Sequence, residues 1–141
     1  MRSGLVGAAA ALLLVSAGAA GAATLHFKAH LAGAAEVPPN TTTGTGDLTA
    51  TLDTTSHAFT YHVTYSGLTG PATAAHFHGP AAPGKNAPPV VPVKNPASPI
   101  DGHATLTRTQ TSNLEKGMWY FNVHTAAHPG GEIRGQVTRT K

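Results

Sequence analysis

The chain contains no cysteine. Disulfides, thiolate metal ligands, a thiol redox centre and a lipid anchor on cysteine are therefore excluded, and packing, strand pairing or a bound metal must stabilise the fold. Charge is also scarce: Asp, Glu, Lys and Arg make up 11% of the residues, and the basic ones are scattered, which gives no surface for nucleic acid. No Ser-centred nucleophile constellation and no Gly-rich phosphate loop occur, so hydrolase and kinase chemistry lack their residues. No apolar stretch reaches the ~20 residues that a membrane-spanning helix needs. The apolar run from Leu5 to Ser16 follows the basic start Met1-Arg2 and precedes the small residues Ala17 to Ala23, the order of a cleavable signal peptide. The expectation is a signal peptide at 1–23 and one domain at 24–141, secreted or periplasmic and not inserted in a membrane once the signal is removed. Cleavage in this region leaves Ala or Thr first, so a metal site built on an N-terminal histidine is excluded and any such site is internal.

What the chain does have is Thr, Val, Gly and Pro, with alternating rather than helical patterning. Leu25, Phe27, Ala29 and Leu31 alternate with His26, Lys28 and His30, as a strand with one buried face requires. Gly44 to Leu52, Phe59 to Tyr65, Ala72 to His78, Ala104 to Thr109, Met118 to His124 and Ile133 to Thr138 read as further strands, and Thr111 to Lys116 as one helical turn stopped by Gly117. Between Gly79 and Pro99 stand seven of the eleven prolines; proline donates nothing to a ladder, so this stretch reads as a long loop with one brief strand at Val90 to Val93. The fold class expected is all-β, an antiparallel Greek-key-like sandwich or barrel with a long Pro-rich loop.

The chain carries nine histidines, all of them after residue 23, and imidazole is the commonest protein metal ligand. In His76-Phe77-His78, strand alternation sends both imidazoles to one face and Phe77 to the other. His124 stands at the end of a later strand and His128 four residues on. If the two strands are neighbours, three or four imidazoles converge, with His76, His78 and His124 as ligands and His128 as a fourth ligand or a partner behind them. A nitrogen-rich set suits copper first and zinc second, and suits magnesium or calcium poorly. Glu132 and Arg134, beside Gly130-Gly131, read as a network that locks a loop. His26, His30, His57, His62 and His103 fall on polar faces or in turns and read as ordinary surface residues, with His30 as the reserve candidate.

LAGAAEVPPN at 31–40, AAHFHGPA at 74–81 and YFNVHTAAHPGGEIRGQV at 120–137 resemble, in this order, the signature blocks of the CHRD domain. That family takes its name from chordin, an extracellular antagonist of growth-factor signalling, and its bacterial members are commonly exported single domains. The resemblance implies an exported module, non-catalytic interaction being one role, without fixing its task. A looser likeness joins His76-x-His78 and His124-Thr125 to copper-zinc superoxide dismutase, and it implies copper on these three histidines and superoxide chemistry at an open position. The zinc loop of that enzyme has no counterpart here, where the Pro-rich stretch stands instead.

Overall fold

The structure is a computed structural model that describes residue 18 and residues 21–141. Most of the segment read as a signal peptide lies outside the described residues. Among the described residues no helix is long and apolar enough to cross a membrane.

Eight strands form one antiparallel sheet: β1 (Thr24–Ala32), β2 (Thr45–Asp53), β3 (Ala58–Ser66), β4 (Ala72–His78), β5 (Pro89–Pro92), β6 (Ile100–Thr105), β7 (Trp119–Thr125) and β8 (Ile133–Arg139). Their order across the sheet is β5-β4-β7-β8-β1-β2-β3-β6. The chain from Pro92 to Ile100 therefore links the two outermost strands. Those eight Cα steps reach roughly 28 Å at full extension, whereas a flat eight-stranded sheet would hold its edges roughly 34 Å apart. The connection fits only a curled sheet, and the sheet is nearly closed into a barrel.

The interior shows the same closure. Phe59 of β3 meets Phe77 of β4 edge-on at 5.2 Å and Trp119 of β7 at 5.9 Å, although β3 lies far from β4 and β7 along the sheet. Phe77 also packs on Phe121 at 4.8 Å. Leu25, Phe27, Ala29 and Leu31 are all buried, as the alternation of β1 requires.

Two elements begin well ahead of the positions read from the sequence. The strand expected at Ala104 to Thr109 runs instead over Ile100–Thr105, where Gly102 faces Tyr61 across the ladder and the phenol ring occupies the space a Cβ would fill. The helical turn begins earlier: α1 (Arg108–Glu115) starts at Thr107, whose hydroxyl accepts from the Gln110 amide while the Gln110 side chain accepts from the Thr107 amide. This reciprocal cap satisfies two amides that the first turn leaves without partners.

The polar face of β4, β7 and β8 is not left to solvent. Segments 33–40 and 79–88 lie over it, held by Asn40 Nδ2 to the Glu132 carbonyl (2.9 Å), Gln136 Nε2 to the Ala81 carbonyl (2.9 Å) and Arg134 to Asn86 (2.8 Å). The long Pro-rich loop is thus part of a roof over the face that carries His76 and His78.

Candidate metal centre

Register decides which side chains meet. In the β4–β7 ladder Ala74 faces His124, His76 faces Asn122 and His78 faces Tyr120, so all six lie on one face while Phe77 and Phe121 pair on the other. His76 and His124 are diagonal neighbours, within reach of long side chains across a ladder, and the small Ala74 leaves room for the ring of His124. The ring centroids of His76 lie 5.0 Å from His124 and 5.5 Å from His78. Among the described residues, His76, His78 and His124 are the group of three able to hold a metal ion, with one nitrogen from each within 4.8 Å of the others.

The closest approach is His76 Nδ1 to His124 Nε2, at 3.1 Å. Two nitrogens bound at ~2 Å to one ion stand roughly 2.8 Å apart at a right angle and roughly 3.3 Å apart at the tetrahedral angle. The observed spacing falls between these values; it also suits a hydrogen bond between two neutral rings. Main-chain carbonyls fix the tautomers of the other two histidines. His124 Nδ1 lies 2.9 Å from the Pro129 oxygen and His78 Nδ1 lies 2.9 Å from the Ala87 oxygen. A carbonyl only accepts, so both rings carry their proton on Nδ1 and, when neutral, direct an Nε2 lone pair elsewhere. Burial holds His76 and His78 below the ordinary imidazole pKa, and the neighbouring imidazoles push the same way for both. Against this, the bonds from His78 to Ala87 and Asn122 favour its charged form without offsetting burial.

Behind the histidines lies a buried polar layer that sequence reasoning did not find. The carboxamide of Asn122, 3% exposed, places Oδ1 3.0 Å from His78 Nε2. Its other end faces Glu36 from segment 33–40, which is 5% exposed and whose Oε1 has no hydrogen-bond partner. Tyr120 stacks on His78 with ring centroids 4.7 Å apart, and the Arg134 guanidinium lies 3.4 Å from the centre of the Tyr120 ring. Burial pushes the Glu36 carboxyl up to about 7, against the opposing pull of the Arg134 charge and of Asn122.

A stability change with pH follows. Glu36 titrates near 4.5 when unfolded and near 7 when folded, so between these values the folded chain binds more protons. Its stability falls as pH rises through that window and levels off above it. Glu36→Gln removes this slope: relative to wild type, the variant should gain about 2–3 kcal/mol between pH 4 and pH 8, read from urea unfolding at the two values.

Gly131 makes room for this layer. Its φ of +128° suits glycine, and a Cβ there would collide with Glu36 Oε1 and the Asn122 amide. Gly131→Ala should cost about 1–3 kcal/mol in thermal or urea unfolding.

The expected site residues divide as follows. His76, His78 and His124 come together. His128 does not join them: the turn after β7, closed by the Thr125 and His128 main chains, directs its Nε2 toward Glu132 Oε1, 3.5 Å away. Glu132 itself is fully buried and accepts from the Thr69 amide and hydroxyl, tying the β3–β4 connection to the start of β8. Arg134 bonds Asn86 and the Lys85 carbonyl. Both therefore lock loops, as expected. His30 pairs with Asp47 and His62 with Asp101, each pair exposed and away from the trio. Asn122 was legible in part, since Tyr120, Asn122 and His124 share a strand face by alternation; Glu36 carried no such signal.

The family model described as the CHRD domain matches residues 27–137, most of the chain. No curated protein and no solved structure matches it.

Proposed function

The chain belongs to the CHRD domain family, and from that premise we propose that it is an exported domain holding one transition-metal ion, copper in preference to zinc, on His76, His78 and His124. The observation that carries this reading is the 3.1 Å approach of His76 Nδ1 and His124 Nε2, with Nδ1 of His124 and of His78 each engaged by a main-chain carbonyl. Ligating histidines commonly donate their second N–H in this way, which orients the ring and raises its basicity. Three neutral imidazoles without thiolate or carboxylate suit copper and zinc, and intrinsic affinity places Cu(II) above Zn(II). Three protein ligands leave a position for water or a small ligand. The signal-like residues 1–23 support export, to a compartment where cytosolic thiols do not compete for copper.

The test is a titration of untagged protein with Cu(II) and Zn(II) against a chromophoric chelator, with electron paramagnetic resonance of the copper form. One ion per chain at submicromolar affinity, with nitrogen couplings in the spectrum, is the expected result. Absence of such binding, or an affinity unchanged in the His76→Ala, His124→Ala double variant, would overturn the reading.

A further inference from the structure

We propose that a metal ion binding at His78 expels one proton from Glu36, with Asn122 as the link, so that the buried carboxylate supplies a negative charge behind the site without touching the ion. This rests on the metal-binding reading.

His78 Nδ1 donates to the Ala87 carbonyl, so the neutral ring has a bare acceptor at Nε2, with the Asn122 carboxamide 3.0 Å away. Of the two ends of that carboxamide, only Nδ2 satisfies a bare Nε2, and a half-turn about its Cβ–Cγ bond brings it there. The half-turn directs Oδ1 at Glu36. Two oxygens facing each other in a buried space require a proton between them, and the Glu36 carboxyl, whose Oε1 has no hydrogen-bond partner, is the group able to carry it. Without metal, the chain of donors runs from the Glu36 carboxyl to Asn122 Oδ1, from Asn122 Nδ2 to His78 Nε2, and from His78 Nδ1 to Ala87.

An ion on His78 Nε2 consumes the lone pair that Asn122 Nδ2 was serving. The carboxamide turns back, with Oδ1 toward the cation and Nδ2 toward Glu36, which now accepts as a carboxylate. The O–H bond of Glu36 breaks, its electron pair stays on the carboxylate, and the proton passes to solvent. An exit exists: Glu36, Val37, Pro39, Arg134 and Gln136 line a cleft of about 400 Å³ over this layer. Arg134 of β8 lies close enough for its charge to act on Glu36, and His78 of β4 faces it across Asn122 of β7. From segment 79–88, Lys85 meets this group through its carbonyl, bonded to Arg134, while Glu132 turns to Thr69 and His128. The burial that raises the Glu36 pKa to about 7 supports a protonated metal-free state in mildly acidic solution.

The experiment is calorimetric titration of the full chain with Zn(II) at about pH 6, in buffers of different ionisation enthalpy, which counts protons released per ion. Wild type should release about one proton more than Glu36→Gln, whose amide donates to Asn122 or accepts from it without ionising. Between about pH 5 and pH 7 the wild-type affinity should rise about tenfold more per pH unit than that of the variant. Equal proton counts in two proteins that both bind zinc would overturn the inference while leaving the metal site standing; no binding of Zn(II), and none of Cu(II) in the same titration, by either protein would overturn both. A readout without a variant is the carboxyl carbon resonance of Glu36 in wild type at about pH 6. It should move from the protonated to the ionised position on zinc addition, and a resonance that stays put counts against the link.

Discussion

His124→Ala is expected to lower affinity for Cu(II) by about 100-fold or more and to leave the unfolding midpoint nearly unchanged. The two effects separate because His124 is only half-buried and its ring spans the strand face rather than the interior. Its Nε2 is one of the pair at 3.1 Å, so removing it leaves two imidazoles for the ion. Loss of a group that merely orients a ligand already costs about 10–100-fold, and loss of a ligand should exceed that. The site makes His78 a poorer probe. His78 is 8% exposed and stacks on Tyr120, so His78→Ala would mix lost ligation with lost packing. Chelator-competition titrations, paired with urea unfolding without metal, check both halves of the expectation. A variant that binds copper as tightly as wild type would remove His124 from the ligand set.

Arg134→Met should cost about 3–5 kcal/mol, the scale for removing one partner of a buried charged group. Arg134 is 2% exposed, covers the Tyr120 ring, donates to Asn86 and the Lys85 carbonyl, and faces Glu36. Methionine fills much of the space but leaves a main-chain oxygen without its donor and Glu36 without its countercharge. The loss should be larger at pH 8 than at pH 5, because Glu36 escapes part of the penalty by keeping its proton. Adding Glu36→Gln should recover that pH-dependent part and leave the detached loop unrepaired. Arg134→Lys should rescue little, since a single ammonium does not reproduce the flat, forked contact with two acceptors and a ring. Urea unfolding at both pH values tests each statement.

The parts of the molecule legible in its sequence are those governed by short-range alternation. Leu25 to Leu31 and Phe59 to Tyr65 announced β1 and β3, and His76-Phe77-His78 announced a face, because a period of two is a property of the strand itself. The β6 strand was misplaced because Asp101 and Gly102 look unlike strand residues. Gly102 is there for Tyr61, a partner 41 positions away in the chain whose ring needs its missing side chain. The early start of α1 was readable, since Thr107-x-x-Gln110 is a capping pattern. His128, read as a fourth ligand or a partner behind the trio, stands apart from it, because spacing says nothing of how a turn closes: hydrogen bonds between Thr125, His128 and Gly131 send it back toward Glu132. Glu36 meets Asn122 only once segment 33–40 has folded over the finished sheet, so no local pattern announces it.

The carbonyls of Ala87 and Pro129, which fix the protonated nitrogens of His78 and His124, give the site an uneven tolerance to mutation. Main-chain oxygens survive substitution of the residues that bear them. Side chains at 87 and 129 are therefore free to drift wherever the path of the backbone is kept. The vulnerable positions lie elsewhere, at the residues that hold that path, so a genetic screen for lost metal binding should return Arg134 and Gly131 more often than Ala87 or Pro129.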